Sequence, residues 1–194
     1  MRRAQRAGAL RRYADDRDLP GVEGTSRLSP HLRFGTLGIR RLLAEAREEW
    51  READAAGRRS IDAFVGELAW REFYAAILAD FPRVLAGSFR PEFERFPWAT
   101  GETAEERFAA WRDGKTGYPV VDAGMRQLAH EGWMHNRVRM VVASFLTKHL
   151  LVDWRRGEEL FRARLADGDP ASNSGGWQWS AGCGTDAQPF FRIF

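Results

Sequence analysis

The apolar residues of this chain recur mostly every three or four positions, which is the period of an amphipathic helix. The first clear series follows Thr36, and we expect its helix to end near Gly57. Its apolar face consists of Ile39, Leu42, Leu43, Ala46 and Trp50. Because the alternating pattern of strands is absent, the sequence predicts an all-α fold with bundle-like packing.

Helix-terminating residues divide the rest of the chain into further helices. Ser60 is a suitable N-cap, and the helix that follows it is expected to stop before Pro82. Thr103 and Glu106 have the spacing of a capping box. Later helices are predicted over residues 119–132, 133–150 and 153–165, with a short one over 175–180.

The composition excludes several classes of protein. A length of 194 residues fits one domain or a piece of a larger one. Hydrophobic residues make up 44% and charged residues 29%, which argues against a disordered tail. No apolar run approaches the ~18–20 residues that cross a bilayer. The acid-free, Arg-rich residues 1–12 resemble a transit peptide, but the start of a surface helix is the favoured interpretation.

Candidate metal and thiol centres fail on spacing. His130 and His135 approach the zinc-helix pattern, but that pattern needs its second histidine at position 134, which is Met134. We therefore expect no metal. The single cysteine, Cys183, rules out a disulfide scaffold and has no histidine near it in sequence, so a catalytic thiol is unsupported.

One face of the helix after Ser60 combines charged and aromatic side chains. Glu67, Trp70, Arg71 and Tyr74 are spaced to share that face. One interpretation is a pocket that stacks on a planar ligand and hydrogen-bonds its edge. The other is an exposed Glu67–Arg71 pair that stabilises the helix by only a few tenths of a kcal/mol and has no further role. The pattern alone leaves both open.

Two further features have both a structural and a functional interpretation. Residues 25–29 combine three hydroxyls and an arginine just before a helix, an arrangement that binds phosphate but more often only caps the helix. The eight tryptophans suit a buried core, and closely spaced indoles also carry an oxidised hole. The sequence leaves the tryptophans undecided.

Segments along nearly the whole chain closely resemble the photolyase/cryptochrome family, in that family's order. They are EGTSRLS at 23–29, ELAWREFY at 67–74, TGYPVVDAGMRQL at 116–128, GWMHNRVRM at 132–140 and DGDPASNSGGWQW at 167–179. The pattern is most similar to bacterial class I photolyases, which repair cyclobutane pyrimidine dimers. The resemblance implies a multi-helical domain that binds FAD in a U shape.

The resemblance also implies which residues bind FAD. In the first part of the chain these are Tyr13, Thr25, Ser26, Arg27, Leu28 and Ser29, with the hydroxyl-rich run at the diphosphate. Phe64 stands where relatives carry a flavin-facing tryptophan. Around the isoalloxazine the family pattern places Asn136, Arg139, Asp167, Asp169 and Asn173. Arg139 and Asp167 are expected to pair, since a buried charge needs a partner.

The residues that distinguish repair from signalling favour repair. The resemblance places Asn173 near the reactive flavin nitrogen, where plant-type cryptochromes tend to carry an aspartate. The histidine pair typical of six-four photoproduct repair is missing from residues 134–137. The implied activity is therefore light-driven repair of cyclobutane dimers by electron transfer from reduced FAD.

Contacts with damaged DNA are implied in the same way. Glu67 corresponds to the residue that hydrogen-bonds the dimer's bases and Trp70 to one in apolar contact with it. Asn136 and Met140 are implied to line the same cavity. For the DNA backbone or the lesion's flanks the resemblance gives Arg71, Arg137 and Arg192. Trp177, Trp154 and Trp98 match the tryptophan chain that reduces oxidised flavin, so the implied catalytic set is these three with Glu67 and Asn173.

The family normally has an N-terminal α/β domain that holds an antenna pigment. Nothing like it precedes Tyr13, and the chain ends at Phe194 inside a family motif. We therefore expect residues 1–194 to be a partial FAD-binding domain, truncated at both ends, with no antenna domain and an unidentified pigment.

The expected partner is double- or single-stranded DNA with pyrimidine dimers, bound by a cytoplasmic, nucleoid-associated monomer that contacts no membrane and holds no metal. A non-repairing flavin photoreceptor and an inactive truncated fragment remain as alternatives. Repair under blue light separates the enzyme from both alternatives.

Overall fold

The computed structural model describes residues 8–185, and every regular element in that range is helical. The expected all-α class is therefore confirmed. The chain forms two compact units, Met1–Phe73 and Tyr74–Phe194. None of the helices described is long and apolar enough to span a membrane.

In the described part of the first unit, four helices follow a helical turn at residues 8–11. They are α1 (Tyr13–Asp16), α2 (Ser29–Arg33), α3 (Ile39–Glu52) and α4 (Ala55–Asp80), whose end falls in the residue range of the second unit. Leu42, Phe64 and Leu68 form one apolar cluster of the first unit. Leu42 and Ala46 of the amphipathic series after Thr36 are buried as predicted, whereas Trp50 is 38% exposed. Helix α3 ends at Glu52 and not near Gly57, which lies inside α4.

Helix α4 begins five residues before the predicted N-cap. The side-chain Oδ1 of Asp54 accepts a hydrogen bond from the Gly57 N–H at 2.8 Å, so Asp54 stabilises the first turn. Ser60 is buried inside the helix, and its hydroxyl accepts the N–H of Ala14 at 2.8 Å. The N-cap prediction was wrong because the partner of Ser60 lies 46 residues away in sequence.

The second unit contains two 3₁₀ turns, five α-helices and one π-helical turn within the described range. The 3₁₀ turns are Pro82–Leu85 and Pro91–Arg95. The helices are α5 (Glu102–Arg112), α6 (Pro119–Glu131), α7 (Asn136–Ser144), α8 (Trp154–Arg164) and α9 (Pro170–Ala181). The π-helical turn, Phe145–His149, continues directly from α7.

Several helix ends follow the sequence signals. Pro119 lies in the first turn of α6, and Gly132 ends that helix in the left-handed conformation, with φ of 62°. The carboxylate of Asp153 accepts the Arg155 N–H at 3.0 Å and caps α8. These residues end or begin helices through local geometry alone, which is why the sequence predicts them.

Other boundaries differ from the prediction. Thr103 lies inside α5, which begins after Gly101, so the proposed capping box does not form. Residues 133–150 are not one helix, because Nδ1 of His135 accepts the Arg137 N–H at 3.1 Å and starts α7 at Asn136. Helix α9 is longer than the short helix expected over 175–180.

Glycines allow helices of the second unit to pack closely. A Cβ on Gly157 of α8 would lie 2.1 Å from the indole of Trp177 on α9, and a Cβ on Gly124 of α6 would lie 2.4 Å from Val138 on α7. Large side chains, among them Trp111, fill the space between these helices. The close approach of α8 and α9 matters below, because both helices carry predicted site residues.

Candidate functional site

A buried ion pair lies before the start of α9. Asp167 has a side chain only 4% exposed, and its Oδ2 accepts a hydrogen bond from Nη2 of Arg139 at 3.0 Å. Nε of Arg139 also donates to the backbone oxygen of Met134 at 2.8 Å. The predicted pairing of Arg139 with Asp167 is therefore present, and it fixes the guanidinium against the turn that precedes α7.

The second oxygen of this carboxylate is a hydrogen-bond acceptor without a donor. Oδ1 of Asp167 is inaccessible to water and accepts no hydrogen bond within residues 8–185. A buried carboxylate oxygen without a donor is unfavourable, so such an atom points to a ligand that supplies an N–H or O–H.

Asn173, in the second turn of α9, is hydrogen-bonded to α8. Its Nδ2 donates to both the backbone oxygen and the carboxylate Oε1 of Glu158, each at 2.9 Å. Glu158 is only 6% exposed. Burial raises the pKa of Glu158, while Arg162 and the hydrogen bond from Asn173 act in the opposite direction. The sequence analysis did not single out Glu158, because a glutamate inside a helix carries no local signal of such a contact.

Asp169 acts as the cap of α9. Its Oδ1 accepts the N–H of Ser172 at 2.9 Å, and its backbone oxygen accepts the N–H of Asn173 at 2.9 Å. Asp169 therefore holds the first turn of α9, and the FAD contact expected for Asp169 stays a prediction.

Helix α7 presents two of the predicted contact residues on one side. Asn136 is exposed, and its Nδ2 lies 3.9 Å from Sδ of Met140, one turn further along. Arg137 is also exposed at the start of this helix. The positions of Asn136 and Met140 agree with a shared surface, whereas their contact with DNA is untested.

The three tryptophans predicted to transfer electrons belong to one apolar cluster. Trp154 and Trp177 are buried in it, and Trp98 packs against it. The ring of Trp177 lies 6.0 Å from that of Trp111. Indole Nε1 of Trp111 donates to the Val142 backbone oxygen at 2.9 Å. These tryptophans are core residues in the structure, and their electron-transfer role stays a prediction.

In the first unit, Glu67 pairs with a residue that the sequence analysis missed. Its Oε1 lies 2.7 Å from Nη2 of Arg17, so the i,i+4 pair with Arg71 is not formed. Arg71 instead donates to Oε1 of Glu72 at 2.7 Å. The guanidinium of Arg17 also lies 5.4 Å from the ring centre of Tyr13. A partner 50 residues away leaves no periodic signal, which is why Arg17 was not found.

Tyr13 and Phe64 pack together in the first unit. Their rings meet edge to face at 5.4 Å, and Phe64 is buried. Burial raises the pKa of Tyr13 to about 12, although the charge of Arg17 acts to lower it. Both side chains stabilise the core here, and the expected contact of each with FAD stays a prediction.

Trp70 is a large aromatic side chain on the surface of the first unit. It is 44% exposed, and its ring meets Phe73 edge to face at 5.4 Å. An exposed indole on a helix that has already buried an apolar face is available for contact with a ligand. This geometry agrees with the ligand-binding interpretation of the face that carries Glu67.

The hydroxyl-rich run forms the connection into α2. The hydroxyl of Ser26 accepts the Leu28 N–H at 3.4 Å, and Ser29 is the first residue of α2. Arg27 has a φ of 50°, an uncommon conformation for a residue other than glycine. Thr25 is half-buried beside this turn. The turn itself is established, whereas phosphate binding by residues 25–29 is not.

An open pocket of the second unit is lined by Tyr74, Val84, Phe89, Gly175 and Gln178, among others. The side-chain amide of Gln178 donates to the Val84 backbone oxygen and accepts the Phe89 N–H, so both ends of this amide are hydrogen-bonded within the chain. Within residues 8–185, no cluster of three or more metal-binding side chains occurs. Burial raises the pKa of Cys183 to about 11, which keeps that thiol protonated at neutral pH. Arg192 lies outside the described residues.

The residues around the start of α9 suit a planar heterocycle such as the isoalloxazine ring of FAD. Oδ1 of Asp167 needs a donor, the guanidinium of Arg139 offers positive charge, and Asn173 carries an amide on the first turns of the same helix. Gly176, one turn after Asn173, has open space where a Cβ would stand. This combination of a carboxylate, a guanidinium, an amide and a glycine suits the N–H and carbonyl edge of an isoalloxazine.

Sequence comparison assigns the family. A family model described as the FAD binding domain of DNA photolyase matches residues 64–194. The chain is 54% identical over 189 residues to a deoxyribodipyrimidine photo-lyase of Halobacterium salinarum, covering 97% of the chain and 39% of that relative. The Escherichia coli protein of the same name is 49% identical over 185 residues, which is 94% of the chain and 38% of that protein. The chain thus spans about two fifths of these relatives.

Solved structures of the same family are also similar. The crystal structure of a bacterial class III photolyase from Agrobacterium tumefaciens matches with a TM-score of 0.89 and 48% identity, over 96% of the chain and 37% of that protein. A cryptochrome from Synechocystis matches with a TM-score of 0.85 and 37% identity, over 97% of the chain and 38% of that protein. With the sequence matches, these similarities show that the chain belongs to the photolyase family, as part of the FAD binding domain of DNA photolyase.

Proposed function

We propose that this chain provides the FAD-binding and lesion-contacting region of a deoxyribodipyrimidine photo-lyase. The observation that carries the proposal is the 54% identity to such an enzyme over 97% of the chain. The buried Asp167–Arg139 pair with its free carboxylate oxygen supplies the structural support. The proposed reaction is light-driven splitting of cyclobutane pyrimidine dimers in DNA.

In the second unit, residues around α9 are proposed to hold the flavin ring. FAD supplies, in its reduced form, the electron that opens the cyclobutane ring. Asp167 accepts a hydrogen bond from the ring edge, Arg139 holds that carboxylate in place through the 3.0 Å pair, and Asn173 presents its amide. Asp169 and Asn136 complete the group that the family pattern implies.

A separate role in the second unit is proposed for the buried indoles. Trp98, Trp154 and Trp177 relay an electron toward the cofactor when it has become oxidised. Their membership of one apolar cluster supports this role, because a water-free, rigid environment limits the reorganisation that accompanies electron transfer.

In the first unit, Glu67 and Trp70 are proposed to contact the dimer. The carboxylate of Glu67 accepts hydrogen bonds from the bases, and Trp70 packs on the ring system. Arg17 holds the carboxylate of Glu67 in place through the 2.7 Å pair. Residues 25–29, with Tyr13 and Phe64, are proposed to contact FAD from this unit.

Basic side chains are proposed to bind the DNA backbone. Arg71, Arg137 and Arg192 neutralise phosphates near the lesion, while Met140 makes an apolar contact with it. Affinity is then expected to fall steeply as salt rises, because each neutralised phosphate releases counterions. A dimer pairs and stacks poorly, which lowers the free energy needed to turn it out of the helix.

The proposal is tested in a chimera, because the chain spans about two fifths of its relatives. The matching segment of the Halobacterium enzyme is replaced by this chain, and dimer repair is measured under blue light. Repair at a rate close to that of the Halobacterium enzyme supports the proposal. A chimera that folds, binds FAD and repairs no dimers contradicts it.

A non-repairing photoreceptor is the second candidate, supported by the match to the Synechocystis cryptochrome. Asn173 weighs against it, since the family pattern places aspartate there in plant-type cryptochromes. A flavin-loaded chimera that changes its spectrum under blue light without repair favours the photoreceptor.

The working state is also a proposal. We propose that the protein acts as a monomer on double- or single-stranded DNA, in the cytoplasm at the nucleoid, because its substrate is found there. Sedimentation with and without a dimer-containing duplex tests the monomer.

A further inference from the structure

Glu158 is a buried carboxylate to which the proposed reaction assigns no role. It lies on α8, is 6% exposed, and has Arg162 one turn away at 3.8 Å. Both of its hydrogen bonds with Asn173 come from the same amide nitrogen, at 2.9 Å to Oε1 and 2.9 Å to the backbone oxygen. Oε1 of the Glu158 carboxylate thus accepts its hydrogen bond from one residue of α9.

These two contacts determine which way the amide of Asn173 faces. A backbone oxygen only accepts hydrogen bonds, so the atom of Asn173 that faces it must be the donor, Nδ2. Turning the amide over would bring its oxygen against two acceptors of Glu158. Oδ1 of Asn173 therefore points away from α8, and within the described residues it accepts no hydrogen bond.

The packing of α8 on α9 holds Glu158 in place. Gly157, the preceding residue, lies so close to Trp177 that a Cβ there would meet the indole at 2.1 Å. Asn173 and Trp177 are one turn apart on α9, so the contact that brings the helices together also presents Glu158 to Asn173. The acceptor is preset by the fold rather than created when a ligand binds.

We propose that Glu158 is a positioning residue, which orients the amide of Asn173 so that Oδ1 is offered to a ligand as a hydrogen-bond acceptor. The ligand class is a planar heterocycle that carries N–H at its edge when reduced and a lone pair when oxidised. An acceptor favours the reduced form. The identification of this heterocycle as FAD rests on the proposed function, whereas the orientation of the amide does not.

The orientation can be observed without any ligand, because the chain contains only two asparagines, Asn136 and Asn173. Selective ¹⁵N-asparagine labelling of the full chain gives two side-chain NH₂ signals, and Asn136→Gln identifies which is which. Asn136 is exposed, so its amide protons should exchange quickly with water. Those of Asn173 should exchange more slowly, because they are hydrogen-bonded to Glu158.

Two substitutions separate positioning from general stabilisation. Glu158→Gln keeps an acceptor oxygen at the same distance along the side chain, whereas Glu158→Asp keeps the charge but shortens the reach. We expect Asn173 amide exchange to stay within about twofold in E158Q and to rise about tenfold in E158D, the effect of losing one ordinary hydrogen bond. Glu159→Gln, at the exposed neighbouring position, should leave exchange unchanged.

The same variants are then loaded with FAD. The ratio of dissociation constants for oxidised over reduced FAD should fall about tenfold in E158D and stay within about twofold in E158Q. If the wild-type chain retains no FAD, the proposed function fails while the amide measurement still tests the positioning role. Equal Asn173 exchange in wild type, E158Q and E158D would overturn that role. Slow exchange in E158D together with fast exchange in E158Q would overturn it as well.

Discussion

At the residue scale, the charged side chains near α9 differ in how well they are compensated. Asp167 is buried with a donor on one oxygen only, whereas Arg139 is partly exposed and has two acceptors. The two partners of this ion pair therefore depend on each other unequally. Removing the guanidinium strands a buried carboxylate, whereas neutralising the carboxylate leaves a guanidinium that can still reach water.

The asymmetry predicts unequal effects of substitution in the ligand-free chain. Arg139→Ala should lower the free energy of unfolding by about 3 kcal/mol, the effect of leaving a buried charge unpaired. Asp167→Asn should lower it by about 1 kcal/mol, the scale of one hydrogen bond. Urea unfolding followed by circular dichroism measures both. A larger loss in D167N than in R139A would contradict the proposed dependence.

The raised pKa of Glu158 predicts that the stability of the chain depends on pH. Its pKa is raised by burial, with Arg162 opposing and Glu159 adding to the rise, so the native state disfavours the ionised form. This contribution is absent below the ordinary carboxyl pKa of about 4.3 and destabilises progressively as pH rises through the folded-state pKa. Glu158→Gln removes it, so the stability that E158Q gains relative to wild type should increase as pH rises above about 4.3.

Urea midpoints of wild type and E158Q at a series of pH values on both sides of about 4.3 measure the difference, with Glu52→Gln as the control at an exposed position of α3. A difference that stays constant with pH would show that ionisation of Glu158 does not affect stability.

At the element scale, the contact between α8 and α9 positions both the buried indole of Trp177 and the amide of Asn173. This contact depends on Gly157, because any side chain there meets the rigid ring of Trp177. Glycine lowers helix propensity, so its presence in the interior of α8 is explained by packing rather than by local preference.

Gly157→Ala should therefore destabilise the chain by about 2 kcal/mol through overpacking, despite a favourable change in helix propensity. Gly66→Ala is the matched control, since Gly66 also lies inside a helix but has open space at its Cβ position. We expect G66A to gain up to about 1 kcal/mol. Thermal and urea unfolding measure the change in stability that each substitution causes. Equal changes in the two variants would contradict the packing explanation.

Gly176 separates stability from ligand binding on α9. A methyl group there meets nothing within 4 Å, so Gly176→Ala should keep or raise the stability of the ligand-free chain, by up to about 1 kcal/mol. If that space receives the flavin, the same methyl group should weaken FAD binding by about tenfold, as measured by equilibrium dialysis. Unchanged FAD affinity in a stable G176A chain would remove Gly176 from the proposed site.

At the scale of the whole molecule, local signals predict much of the fold and sequence-distant contacts do not follow from them. The helical period gives the all-α class, and Gly132 and Asp153 mark helix ends because their effect stays within one turn. The partnership of Glu67 with Arg17 joins positions 50 residues apart, and that of Glu158 with Asn173 depends on how α8 packs on α9. Periodicity contains no information about either contact.

The candidate site also could be predicted from the sequence only in part. The family pattern gave Arg139, Asp167 and Asn173 from the sequence. The structure contains the ion pair of the first two, and the contact of all three with FAD stays a prediction. The pattern did not reveal the supporting residues Glu158 and Arg17, because glutamate and arginine are common in the sequence and only tertiary contacts distinguish these two.

The proposed contact between Glu67 and the lesion predicts a loss of repair activity when the carboxylate is removed. Glu67→Ala should lower dimer repair per absorbed photon by about tenfold in the FAD-loaded chimera, the effect of one hydrogen bond to a charged group. Flavin content should not change, because Glu67 is proposed to contact the bases. Asp62→Ala, at an exposed position of the same helix, is the control. An unchanged repair yield in E67A would exclude Glu67 from the reaction.

Retention of flavin is the most direct test of the central claim, that these helices bind FAD. The purified chain, and the chimera with the Halobacterium enzyme, are incubated with FAD, freed of unbound flavin by gel filtration, and examined by visible absorption. We predict a flavin spectrum that elutes with the protein at about one FAD per chain, and weaker retention in G176A. A colourless chimera that is folded by circular dichroism would contradict the account.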